Sequence, residues 1–137
     1  MDTGVQLGRR FRALKLWMVL RHFGIEGLQA RLSEHMRLAR LFADWVDSSA
    51  DFERLAPVPF SVVCFRWNPA GNRWTESELD AKNEELVERV NKSGTVFLSH
   101  TRLRGKLALR VAIGHLRTHE EHIRAAWESV LEAVQKA

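Results

Sequence analysis

A chain of 137 residues, 45% apolar and 28% charged, has the composition of a soluble globular protein and the length for one hydrophobic core. Its single cysteine, Cys64, excludes an internal disulfide framework, and no apolar run approaches the roughly 20 residues of a membrane span. Residues 1–6 lack the basic start and apolar core of a secretory signal, so a cytosolic setting is expected.

The net charge of +4 is uneven. Residues 1–40 hold eight Lys/Arg against Asp2, Glu26 and Glu34, a balance that leaves nucleic acid, a phosphate or an acidic partner open. The same arginines could equally solvate exposed helix faces. Within this third, Gly8 precedes Arg9, Arg10 and Arg12. Free backbone N–H groups beside positive charge suit an anion. Positive side chains at a helix start oppose the macrodipole, so compensation from outside the helix is expected. The run Leu16 to Leu20 has no polar face, and such a helix needs cover on more than one side. A chain that begins inside something larger is the expectation.

Helical patterning covers residues 9–23 and stops at Gly24. A second helix, 28–46, carries Leu28, Leu32, Met36, Ala39, Phe42, Ala43 and Val46 on one stripe. A short strand at 52–56 ends at Pro57 and Pro59, and residues 60–67, apolar on both faces, read as a central strand. Thr75 and Glu78 form a capping box for a helix over 76–90, with Leu79, Leu86, Val87 and Val90 inward. Residues 95–100 read as a strand, 102–105 as a basic connection and 107–113 as another strand. Thr118 and Glu121 form a second capping box for a helix to 135, with Ile123, Ala126, Trp127, Val130, Leu131 and Val134 inward. The order α-α-β-β-α-β-β-α indicates an α+β fold, helices packed on a mostly antiparallel sheet, in one domain over 1–137.

Few groups carry chemistry. Strand alternation sets Arg110 between Ala108 and Ala112, which leaves room around its planar fork for a carboxylate; a solvent-facing arginine or a local Glu pair is the other reading. His115, His119 and His122 lack the spacing of a zinc site and read as surface histidines, so no metal is expected. Cys64, inside an apolar strand, reads as buried and inert. Arg66-Trp67 and Arg73-Trp74 read as packing rather than base stacking. There is no Gly-rich phosphate loop, nucleophile elbow or tyrosine.

The stretch Leu7-Gly8-Arg9-Arg10-Phe11-Arg12-Ala13-Leu14-Lys15-Leu16-Trp17, followed by Gly24-Ile25-Glu26-Gly27-Leu28-Gln29, Val63-Cys64-Phe65-Arg66 and Leu109-Arg110-Val111-Ala112-Ile113, resembles the C-terminal domain of the group II, pyridoxal-phosphate-dependent aromatic-L-amino-acid decarboxylases. The resemblance implies the small domain of a fold-type-I enzyme whose large domain holds the cofactor and the Schiff-base lysine. No lysine of this chain follows a histidine, so the resemblance implies no catalytic residue here, no bound cofactor and no activity for the chain alone. It places Gly8 and Arg9 near the cofactor phosphate and a dimer interface, and Arg110 near a substrate carboxylate. The implied partners are the upstream large domain, a second copy in a homodimer and an amino-acid substrate, with neither nucleic acid nor membrane. The rival expectation is a stand-alone basic module binding nucleic acid or another anion, whose affinity would fall with salt.

Overall fold

The computed structural model describes residues 11–136, and the chain divides into two compact units, residues 1–32 and 33–137. Helix α1, Arg12–Ser48, joins two helical runs across Gly24, whose φ of 65° and ψ of 178° break the ladder. The expected stop therefore lies where the sequence places it. Glycine adopts this left-handed value without the steric penalty any side chain meets.

In the first unit, large apolar side chains are exposed at Phe11 and along α1, among them Leu16, Trp17 (57%) and Ile25 (73%). The Arg31 guanidinium lies 4.3 Å from the centre of the Phe23 ring, and that of Arg21 5.8 Å from Trp17.

The second unit is built on a four-stranded antiparallel sheet of order β1-β2-β4-β3: β1 Phe52–Arg54, β2 Val62–Trp67, β3 Ser99–Leu103 and β4 Lys106–Ala112. Helices α2, Glu76–Lys92, and α3, Glu120–Gln135, complete it. Register puts Phe52, Val63, Phe65, Trp67, Leu107, Leu109 and Val111 on one face, where all are buried. Phe42 of α1 and Trp127 of α3 close over that face: Phe42 lies 5.3 Å from Phe65 and 5.6 Å from Trp127, which lies 5.0 Å from Phe52. These are the tilted and edge-on contacts that aromatic rings prefer. Helix α2 is fixed by Thr75 and Glu78, whose capping box is present as expected, and by Asn83. The fully buried Asn83 amide accepts the Trp67 N–H at 2.8 Å and donates to the carbonyls of Trp67 (2.9 Å) and Leu79 (2.8 Å).

Three local expectations change. Residues 95–98 are not strand, because the Asn91 side chain takes both backbone groups of Leu98, at 2.7 and 2.9 Å, in place of a strand neighbour. Arg102 and Leu103 are strand instead, and the connection shrinks to Arg104-Gly105, both with positive φ (51° and 82°). Helix α3 is capped not by Thr118 but at His119, whose N–H donates to His122 Nδ1 at 3.1 Å. On the same helix Leu131, expected inward, is exposed and Ala133 is buried.

Candidate functional site

The opposite face of the sheet holds the residues with chemical potential. Alternation puts Val62, Cys64, Ser99, Thr101, Ala108, Arg110 and Ala112 there, and Val62, Arg110 and Ala112 are exposed. Arg110 stands at the centre, with Cys64 as its cross-strand partner on β2 and Ser99 on β3. Its Nε–H donates to Ser99 Oγ at 3.0 Å. That bond fixes the plane of the guanidinium, while both Nη groups are without a partner among the described residues. A planar fork held at Nε, with alanines on either side, can take both oxygens of a carboxylate. The local Glu pair that the sequence left open is not made. Burial pushes the Cys64 thiol up, and the Arg110 charge offsets part of that rise. At neutral pH Cys64 is therefore a thiol rather than a nucleophilic thiolate.

A second charged cluster borders this face, and sequence reasoning missed it. Arg66 is only 2% exposed, and its guanidinium spans two carboxylates: Glu53, at 2.9 Å, and Glu76, at 2.8 Å. Lys106 Nζ reaches the other Glu53 oxygen at 3.4 Å. Burial works against the Arg66 charge, but the two glutamates outweigh it and raise its pKa. For Glu53, burial acts upward, and the hydrogen bond and charge of Arg66 with the charge of Lys106 hold the carboxyl below its usual range. This cluster satisfies its own charges and leaves no cation for a ligand. Its signal in the sequence was a lone arginine between Phe65 and Trp67, with Glu53 available only once β1 pairs with β2.

The histidines form caps and props. His35, buried, contacts the His115 carbonyl through Nε2 at 3.3 Å, and His115 Nδ1 accepts the Arg117 N–H at 3.2 Å. His119 and His122 stand with ring centres 5.9 Å apart. The tryptophans that neighbour arginines in the sequence pack on each other: Trp67 lies 5.3 Å from Trp74, and the Lys82 ammonium 4.5 Å from the Trp74 ring. Gly8 and Arg9, the proposed phosphate contacts, lie outside the described residues. No helix among the described residues is long and apolar enough to cross a membrane.

Comparison with known proteins gives this geometry a context. Residues 1–68 match the pyridoxal-dependent decarboxylase conserved domain. Phenylacetaldehyde synthase of Arabidopsis thaliana is 44% identical over 131 residues, 96% of this chain and 26% of that protein. Tyrosine decarboxylase 2 of Narcissus pseudonarcissus is 46% identical over 127 residues, 93% of this chain and 25% of its own length. Among solved structures, the Oryza sativa TDC crystallised with PLP and tryptamine superposes with a TM-score of 0.86 at 39% identity, over 96% of this chain and 28% of that one. The chain spans about a quarter of the length of the curated relatives it matches.

Proposed function

We propose that this chain, which belongs to the pyridoxal-dependent decarboxylase family, is the small C-terminal domain of a longer aromatic-amino-acid carboxy-lyase. The observation that carries the reading is that nearly all of the chain matches a single quarter of each relative. Relatives named for tyrosine, for tryptophan and for phenylacetaldehyde all point to an aromatic amino acid as the parent's substrate.

Bound pyridoxal phosphate supplies the electron sink for the carbon that loses its carboxylate. Among the described residues Lys82 lies over the Trp74 ring and Lys106 pairs with Glu53, and none of the chain's lysines follows a histidine. The anchoring lysine is assigned to the portion of the protein beyond this chain. What this chain contributes is Arg110. Its free Nη pair takes the substrate carboxylate, and Ser99, by holding Nε, keeps the fork in one plane. Gly8 and Arg9 are assigned to the cofactor phosphate, and the exposed apolar side chains of residues 11–32 to cover by the large domain and a second copy in a homodimer. The free thiol of Cys64 supports a reducing, cytoplasmic setting.

The test is Arg110→Ala beside Arg110→Lys in the full-length protein. Loss of a bidentate charged contact is expected to raise the amino-acid KM by about tenfold to a hundredfold, with cofactor absorbance retained and a smaller effect for lysine. An unchanged KM and kcat in both variants would remove Arg110 from the site.

A further inference from the structure

Away from Arg110, the sheet ends in an open edge. β3 is its outer strand on one side. The Arg104-Gly105 loop, with both φ positive, is a type I′ hairpin turn, in which the closing pair Leu103–Lys106 exchanges both backbone hydrogen bonds. Antiparallel pairs alternate, so Thr101–Ala108 and Ser99–Arg110 exchange bonds as well. The peptide groups of His100 and Arg102 therefore point away from β4, and neither has a backbone partner elsewhere among the described residues. Natural edges are blunted by proline, lysine or a bulge. β3 has none of these, and its one charged side chain, Arg102, is drawn to Asp80 at 2.6 Å.

Helix α2 overhangs this edge. Glu84, Val87, Glu88 and Asn91 follow helical spacing and form one wall of a groove of about 300 Å³, whose other wall is Phe97, Leu98, Ser99 and His100. Val87 and Leu98 give it an apolar floor, and Phe97, 83% exposed, stands at its rim. Asn91 pins Leu98, so that wall is held in place. The carboxylates of Glu84 and Glu88 have no ion pair or hydrogen bond among the described residues, and they are the groove's only formal charges. A strand added to β3 would direct alternate side chains into this groove, with two successive ones about 7 Å apart. Four helical residues, a rise of about 6 Å, separate Glu84 from Glu88.

We infer that the α2–β3 groove docks an extended segment of another protein, taken up as a fifth strand through His100 and Arg102, with two lysine or arginine side chains on Glu84 and Glu88 and an apolar one against Phe97. Strand addition of this kind draws affinity from main-chain bonds and specificity from alternate side chains. Charge selects the occupant. A second copy pairing β3 with β3 about a two-fold axis would bring the two glutamate stripes toward each other, whereas a cationic segment neutralises them.

The probe is the peptide acetyl-Thr-Lys-Thr-Lys-Thr-Val-Thr-amide, titrated into the 137-residue chain and into the full-length protein while amide NMR signals and hydrogen exchange are followed. Saturable shifts at Phe97, His100 and Arg102 are expected, with exchange of the His100 and Arg102 amides slowed about tenfold or more at saturation. Reversing charge with Glu84→Lys and Glu88→Lys, both at exposed helix positions, should weaken binding at least about tenfold, as should glutamates in place of the peptide's lysines. The inference would be overturned by no saturable shift at millimolar peptide, by equal binding of the glutamate peptide, or by His100 and Arg102 amides already protected in the full-length protein without peptide. Concentration-dependent protection in the short chain alone would overturn it in favour of self-pairing.

Discussion

Residues 11–32 and residues 33–136 use apolar side chains in opposite ways. In the second region Leu38, Phe42, Phe65, Leu86 and Leu109 are buried and meet one another across the sheet and its helices. In the first, Phe11, Leu16, Trp17, Met18, Ile25 and Leu32 are exposed. A region that buries its large side chains can hold its fold by its own contacts. One that exposes them at this density calls for a surface supplied from elsewhere. On the reading proposed above, that surface is the rest of the decarboxylase.

The contrast can be tested by mutation. Phe65→Ala removes a fully buried ring and should cost about 3–5 kcal/mol in denaturant unfolding of the 137-residue chain. Trp17→Ala, at a larger but exposed ring, should stay within about 0.5 kcal/mol and improve solubility. Equal costs would break the comparison, because residues 11–32 would then have a core of their own. Asn83→Ala leaves the buried Trp67 peptide without its side-chain partner and should cost about 2–3 kcal/mol by the same measurement.

Arg66 sharpens the comparison electrostatically. Arg66→Met leaves Glu53 and Glu76 partly open to water, so a loss of about 1–2 kcal/mol at neutral pH is expected. Glu53 titrates lower in the folded state than in the unfolded one. Its stabilisation is therefore present above the ordinary carboxyl range of the unfolded chain and is lost as pH falls through the lower folded value. Unfolding midpoints measured from about pH 6 to about pH 3 should fall in the wild type, and less in Arg66→Met. The smallest effect is at the hairpin: Arg104→Asn, which tolerates positive φ better, should stabilise by about 0.5 kcal/mol in thermal unfolding.

The helices were legible because their signals are local. Gly24 broke the first, Thr75-Glu78 started α2, and Leu79, Leu86, Val87 and Val90 gave its inner face. Apart from the α3 cap, which falls at His119 rather than Thr118, the errors fell where a distant partner decides. Residues 95–98 have strand composition, but one side chain, Asn91, occupies their pairing groups. Arg104-Gly105 is a less familiar hairpin turn than Asn-Gly, so the two-residue turn reads as a longer basic connection over 102–105. At the site, Arg110 between two alanines could be read from alternation alone. The hold of Ser99 on its Nε could not, because it depends on the β3–β4 register. Arg66 was read only as packing beside Trp67, since its carboxylates come from β1 and α2.

The central claim, that this chain completes a pyridoxal-phosphate decarboxylase without containing its reactive centre, is tested most directly by one paired assay. The 137-residue chain and the full-length protein are each incubated with pyridoxal phosphate, reduced with borohydride to trap any lysine adduct, and in parallel assayed for carbon dioxide release from aromatic amino acids. The account requires a trapped cofactor and carbon dioxide from the full-length protein and neither from the short chain. A stoichiometric adduct on Lys15, Lys82, Lys92, Lys106 or Lys136, together with turnover by the short chain alone, would contradict it.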